Sequence, residues 1–142
     1  MNRKIKVAIL GCGRISNKHI EAITSNKSKF DLSALCDEDK SKLNKKNINV
    51  IKFSSIDKLL DSKIKFDLVS ICTPSGLHKL HSVKVLKKGI NVLIEKPMAL
   101  SNKDARVIIN TGLKYGKKVF ICLQNRFNPT IKLLKKTLDN KK

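Results

Sequence analysis

Glycine and proline are scarce, with six and three among 142 residues. That excludes a collagen, a flexible linker and a low-complexity chain. No apolar run approaches the ~20 residues of a membrane-spanning helix. The run Ile5 to Leu10 is interrupted by Lys6 and ends at Gly11, which is also too short for a signal peptide. The four cysteines, Cys12, Cys36, Cys72 and Cys122, form no C-x-x-C, and none pairs with a histidine at zinc spacing. No metal site is therefore expected. Each thiol ends an apolar run, the pattern of a small buried core group. The cysteines thus point to a reducing, cytoplasmic compartment.

Acids are the other shortage: 11 Asp and Glu stand against 31 Lys and Arg, a formal charge of +20. Such a surplus attracts nucleic acid, anionic membranes and anionic substrates without specificity. Arginine is rare within it, at Arg3, Arg14, Arg106 and Arg126 only. Bidentate recognition of phosphates and bases prefers arginine. The lysine doublets at 45–46, 87–88, 117–118, 135–136 and 141–142 are far apart. The charge reads as a solvated lysine surface rather than a nucleic-acid patch.

The length allows one domain, large enough for a real core. Six short apolar runs recur: Ile5–Leu10, Leu32–Cys36, Val50–Phe53, Phe66–Cys72, Ile90–Ile94 and Lys118–Leu123. Most are β-branched and nearly continuous, as in strands buried on both faces of a parallel sheet. The segments between read as helices. Ile15–Ser25 carries Ile15, Ile20 and Ile23 on one stripe. A short helix opens at Ser54–Asp57 and runs through Leu60. Leu77–Lys88 carries Leu77, Leu80, Val83, Val85 and Leu86 and stops at Gly89. Ser101 with Asp104 is a capping-box variant before Ala105–Tyr115, and Gly116 ends that helix. Pro129 suits the first turn of a last helix, Thr130–Leu138. Strand–helix alternation at these lengths predicts the α/β class, with a doubly wound parallel sheet.

In such a sheet, ligands bind beyond the carboxyl ends of the strands. Five of the six runs end in glycine or polar residues. The first ends in Gly11-Cys12-Gly13-Arg14-Ile15-Ser16, a dinucleotide fingerprint with serine at its third position. Gly11 permits the tight turn, and Gly13 lets the backbone approach a pyrophosphate at the next helix N-terminus. Asp37 ends the second run, 24 residues beyond Gly13, where a carboxylate accepts bonds from ribose hydroxyls and repels a 2′-phosphate. With Glu38 and Asp39 beside it, NAD is favoured over NADP. The alternative is that Asp37 or Asp39 caps a helix.

Thr73-Pro74-Ser75-Gly76 leads into a helix; Thr73 and Ser75 can cap it or reach a phosphate or ribose, and Pro74 stiffens the loop. His78 is a candidate for the cofactor or the substrate entrance, or is structural. His19 and His81 read as helix residues. Glu95-Lys96-Pro97 places an acid and a base after a buried strand. There Lys96 is a candidate for proton transfer, or a solvated strand-end lysine. Gln124 and Arg126, after the last strand, can hold a carboxamide or a phosphate, or cap a helix entry.

These motifs together resemble the Gfo/Idh/MocA oxidoreductases: Val7 to Ile15, Cys36-Asp37, Thr73-Pro74, Glu95-Lys96-Pro97-Met98-Ala99-Leu100 and Gln124 to Pro129. The Thr-Pro-Ser-Gly-Leu-His and Gln-Asn-Arg-Phe-Asn-Pro stretches look most like the UDP-N-acetylglucosaminuronate 3-dehydrogenase branch. The resemblance implies a Rossmann domain binding NAD over residues 1–127. It implies that 128–142 begin the connection to a C-terminal α/β substrate domain, which is absent, because family enzymes run much longer. It also implies a motif lysine, here Lys96, near the reacting hydroxyl, and reversible oxidation of a secondary alcohol of a sugar or sugar nucleotide by hydride transfer. The cofactor contacts carried over are Gly11, Gly13, Arg14, Ile15, Asp37, Thr73, Pro74, Ser75, His78, Glu95, Lys96, Gln124 and Arg126. The expectation is a chain incomplete as an enzyme, with a homo-oligomer among its expected partners. The rivals are a stand-alone NAD-binding or redox-sensing module and a basic nucleic-acid binder. An oligonucleotide bound at low salt should dissociate at physiological salt in a filter-retention assay; retention there would favour the last of these.

Overall fold

The computed structural model describes residues 3–140; Met1, Asn2 and the 141–142 lysine doublet lie outside them. The six apolar runs form six strands: β1 (Ile5–Leu10), β2 (Phe30–Cys36), β3 (Ile51–Phe53), β4 (Leu68–Ile71), β5 (Asn91–Ile94) and β6 (Val119–Ile121). They make one parallel sheet of order β3-β2-β1-β4-β5-β6. The order reverses between β1 and β4, and right-handed crossovers then place helices on both faces.

The helices are α1 (Ser16–Ser25), α2 (Lys40–Asn44), α3 (Ile56–Leu60), α4 (His78–Lys87), α5 (Asn102–Lys114) and α6 (Pro129–Asp139), with 3-10 turns at Ser75–Leu77 and Gln124–Phe127. Ser101 caps its helix as expected, and Ser55 and Asn128 do the same for theirs. Ser55 accepts from the Lys58 N–H, Ser101 from the Asp104 N–H, and Asn128 from the Thr130 N–H ahead of Pro129. α2 was not expected from periodicity; it is short, and Asp39 caps it by accepting from the Ser41 N–H.

Alternate residues of β1 enter two cores. Ala8 and Leu10 join Val69, Ile71, Val92 and Ile94 against Ile56, Leu59, Val85, Leu86 and Ile108 of α3 to α5. Ile9 joins Leu32 and Leu35 against Ile20 of α1 and Leu43 of α2. Burial on both faces holds for the inner strands and fails at the edges, where Ile51 of β3 is 53% exposed and Phe120 of β6 46%. An edge strand has a neighbour on one side only, and β6 has no helix of the α1 layer over it.

α4 also departs from expectation. Leu77 and Leu80 are exposed, and the buried face is His78, His81, Ser82, Val85 and Leu86. That face has spacings of three and four residues, so two histidines and a serine take the places the leucines were expected to fill. α6 buries none of its residues, and Ile131, Leu133, Leu134 and Leu138 all stay exposed.

Just past β1, Gly11 lies close against the backbone that follows β4. Its φ is +94°, and a Cβ there would lie 2.6 Å from the Cys72 carbonyl carbon and the Thr73 nitrogen. Gly13 has open space where its Cβ would be. Gly11→Ala should therefore lose about 1–3 kcal/mol from backbone conformation alone, a fall in Tm of roughly 4 °C or more. Gly13→Ala should melt within about 2 °C of the parent. Equal melting of all three chains by circular dichroism would refute this reading of the turn.

Candidate functional site

The carboxyl ends of β1, β2 and β4 open on a cleft of about 470 Å³, walled by Gly11, Gly13, Arg14, Ile15, Asp37, Thr73 and Pro74 among others. It lies at the switch in strand order, as the topology requires. The Ser16 hydroxyl donates to the Gly13 carbonyl at 2.6 Å, closing the turn onto α1. No side chain caps the α1 N-terminus, and its first turn holds no acid. Its Asn17 and Lys18 N–H groups bond the Arg14 and Ile15 carbonyls, and its positive dipole end, with no acid beside it, suits an anion.

Asp37 is held from two sides. Its Oδ2 accepts from the Cys12 N–H at 2.7 Å and its Oδ1 from the Asp39 N–H at 2.9 Å. The expected alternative is thereby divided: Asp39 is the helix cap, and Asp37 is a carboxylate tied to the glycine turn at the cleft wall. Opposite it, the Thr73 hydroxyl lies 3.0 Å from Nδ1 of His81, and burial lowers the His81 pKa below its ordinary value.

A second cluster lies behind the β5 end. Glu95 is buried, and its Oε1 accepts from Nε2 of His19 at 2.8 Å. The Ser70 hydroxyl sits 2.8 Å from Nδ1 of the same ring, and Glu95 Oε2 accepts from the Lys96 N–H at 3.2 Å. Burial pushes the Glu95 carboxyl up, but bonds from His19, Cys122 and the Lys96 N–H outweigh it and hold the pKa below the usual value. His78 is 1% exposed; its ring bridges the Thr73 and Pro97 carbonyls at 2.8 Å each, tying the β4 loop to the β5 loop. The Lys96–Pro97 bond is cis.

Of the residues singled out in the sequence, the cleft gathers Gly11, Gly13, Arg14, Ile15, Asp37, Thr73 and Pro74. Ser75 lies outside it, in a groove shared with Leu100 and Asp104. His78 and Glu95 are buried behind the loops and take no part in its wall. Lys96, Gln124 and Arg126 are exposed at the same edge of the sheet, also outside that wall. His19 and His81 were read only as helix residues, yet each bonds a loop of this edge. A signal existed for His19: Ser16, His19, Ile20 and Ile23 have helical spacing, which puts the ring on the inner face of α1.

The arrangement defines a doubly wound nucleotide-binding domain. A family profile described as "Oxidoreductase family, NAD-binding Rossmann fold" matches residues 5–122, and the chain belongs to this Gfo/Idh/MocA family. It is 28% identical over 141 residues to the D-glucoside 3-dehydrogenase of Escherichia coli (strain K12), which is 96% of this chain and 39% of that protein. The WlbA dehydrogenase from Bordetella pertussis, crystallised with NADH and UDP-GlcNAcA, superposes with a TM-score of 0.93 at 34% identity, over 97% of this chain and 42% of that one. The scyllo-inositol dehydrogenase from Lactobacillus casei, crystallised with NAD(H) and scyllo-inositol, gives 0.86 at 25% identity, over 97% and 42%. The chain thus spans about two fifths of the length of these relatives.

The cysteines generate a pH prediction. Burial pushes the thiols of Cys12 and Cys122 up to about 11 and those of Cys36 and Cys72 up to about 12, from an ordinary 9.0. Above pH 9 the unfolded chain releases thiol protons that the folded chain keeps, so stability falls as pH rises. Each of the three fully buried thiols should cost up to about 1.4 kcal/mol at pH 10 relative to pH 8. The urea midpoint should be lower at pH 10, and less so in Cys36→Ala. A midpoint constant from pH 8 to 10 would contradict the burial of these thiols.

Proposed function

We propose that this chain is the NAD-binding part of a dehydrogenase that oxidises a secondary alcohol of a sugar or sugar nucleotide, and that alone it binds NAD without turnover. The observation that carries the reading is the cleft at the strand-order switch, with Asp37 fixed at its wall by two backbone N–H groups. The donor set fits the cofactor. The open space above Gly13 and the uncapped α1 N-terminus suit a pyrophosphate, and the two-oxygen acceptor of Asp37 suits ribose hydroxyls. Glu38 and Asp39 on the same wall add negative charge against a 2′-phosphate. When bound, NAD supplies a hydride acceptor.

The chain's own residues divide the remaining work. Gly11, Gly13, Arg14 and Ile15 receive the pyrophosphate, Asp37 the ribose, and Thr73 and Pro74 line the far wall. Lys96 Nζ takes the proton of the reacting hydroxyl as hydride leaves the carbon. His78 and Glu95 act without touching ligand: His78 clamps the two loops, and Glu95 seats the Lys96 backbone. Ser75, Gln124 and Arg126 stand at the rim, where they can reach a nicotinamide or a substrate phosphate.

The absence of turnover is supported by the exposure of Lys96, since hydride chemistry needs a site closed to water. The sugar class is supported by the relatives, which include a glucoside and an inositol dehydrogenase, and the nucleotide-sugar variant by the WlbA neighbour. The exposed apolar side of α6 supports residues 128–142 as the start of a connection, and leaves a homo-oligomer as one way to cover it. Four free cysteines suit the cytoplasm.

Calorimetric titration of the 142-residue chain tests the proposal. NAD should bind saturably and more tightly than NADP. Asp37→Ala should weaken NAD by roughly 10-fold or more, the worth of hydrogen bonds to a charged acceptor. Gly13→Ala should weaken it with little change in Tm. No binding by a chain shown to be folded, tighter binding of NADP, or turnover of a nucleotide sugar would each overturn the corresponding part.

A further inference from the structure

We propose that His19, Glu95 and Cys122 form a binding site for a borderline-soft divalent metal ion, zinc above all, which staples α1 to the ends of β5 and β6. The ligand atoms, a ring nitrogen of His19, a carboxylate oxygen of Glu95 and the Cys122 sulfur, all lie within 4.8 Å of one another. Zinc bonds of ~2.0–2.1 Å to nitrogen, ~2.0–2.2 Å to oxygen and ~2.3 Å to sulfur fit one ion among three such atoms after small side-chain shifts. One nitrogen, one oxygen and one sulfur donor are a set that zinc accepts and that magnesium or calcium does not.

The site is largely built. The Glu95 N–H donates to the Ile71 carbonyl at 3.1 Å and the Cys122 N–H to the Ile94 carbonyl at 2.8 Å, so sheet pairing extends past the strands and fixes both ligand backbones. Ser70 holds the outer nitrogen of the His19 ring, and the Lys96 N–H holds the second oxygen of Glu95. These are the supporting bonds that orient metal ligands. Ser70 can serve either tautomer: its hydroxyl donates to Nδ1 when Nε2 carries the hydrogen, and accepts from Nδ1–H when Nε2 binds metal. The histidine therefore keeps its proton and moves it to the other nitrogen. Only the Cys122 thiol proton departs, to solvent at the half-exposed sulfur. The divalent ion, one carboxylate and one thiolate then sum to zero charge, which a buried site tolerates. The fourth coordination position is left for water.

Zinc-site spacing is invisible in the chain because the ligands are 76 and 27 residues apart, at 19, 95 and 122. The proposal is independent of the NAD reading, and its test uses no cofactor.

The reduced chain should bind one equivalent of Co²⁺ with a sulfur-to-cobalt charge-transfer band, displaced by one equivalent of Zn²⁺. Cys122→Ser should abolish that band and weaken Zn²⁺ by more than the ~10–100-fold that loss of a supporting partner costs. Zn²⁺ should raise Tm by mass action, and Mg²⁺ should not. In the unmodified chain, one equivalent of Zn²⁺ should slow alkylation of Cys122 selectively, which keeps the test sound if the variant misfolds. No charge-transfer band in the folded chain, a band surviving Cys122→Ser, or protection of another cysteine instead would overturn the proposal.

Discussion

Gly11 has no side chain because the backbone of Cys72 and Thr73 occupies that space, with a would-be Cβ only 2.6 Å from two of its atoms. This approach sets the geometry of the whole carboxyl edge. It brings the β1 turn against the β4 end, on either side of the reversal in strand order. From there the Cys12 N–H can reach across β1 to Asp37 at the end of β2. The turn, the ribose-side carboxylate and the Thr73 wall are thus one rigid unit, held by backbone rather than by long side chains. A cleft built in this way costs a ligand little reorganisation.

A second layer of support lies behind the first. His78, His81 and His19 all sit on buried helix faces and all bond groups at the ends of strands. Each polar side chain in this layer has a partner, apart from the Ser82 hydroxyl among the described residues. Buried polar networks specify one arrangement when satisfied and destabilise when they are not. Lys96 is therefore exposed at its tip but seated on a rigid base: Glu95 accepts its N–H, and His78 holds the Pro97 carbonyl.

The two faces of the sheet are unequally finished. α3, α4 and α5 cover one face from β2 to β5, whereas on the other α1 and α2 bury Ile9, Leu32 and Leu35 and reach as far as β4 through the His19–Ser70 bond. Phe120 of β6 and the apolar residues of α6 stay exposed. The chain spans about two fifths of its relatives' length, and the exposed apolar surface is concentrated toward its C-terminal third.

The order of elements and the glycine turn were legible from local pattern, because strands and helices advertise their own periodicities and the turn needs particular residues at adjacent positions. All six strands, five of the six helices, the Ser101 cap and the positions of Gly11, Gly13 and Asp37 belong to this class. Helix α2 escaped because five residues carry too little periodicity to register. What only the tertiary structure decided is which polar residues face the cleft and which stand behind it. His78 and Glu95, polar residues in segments that follow a strand, carry the same local signals as Thr73 and Asp37, and the division depends on how the layers pack. The meeting of His19, Glu95 and Cys122 is of the same kind. It arises from three distant segments converging at one sheet edge, a distance relation that no spacing along the chain encodes.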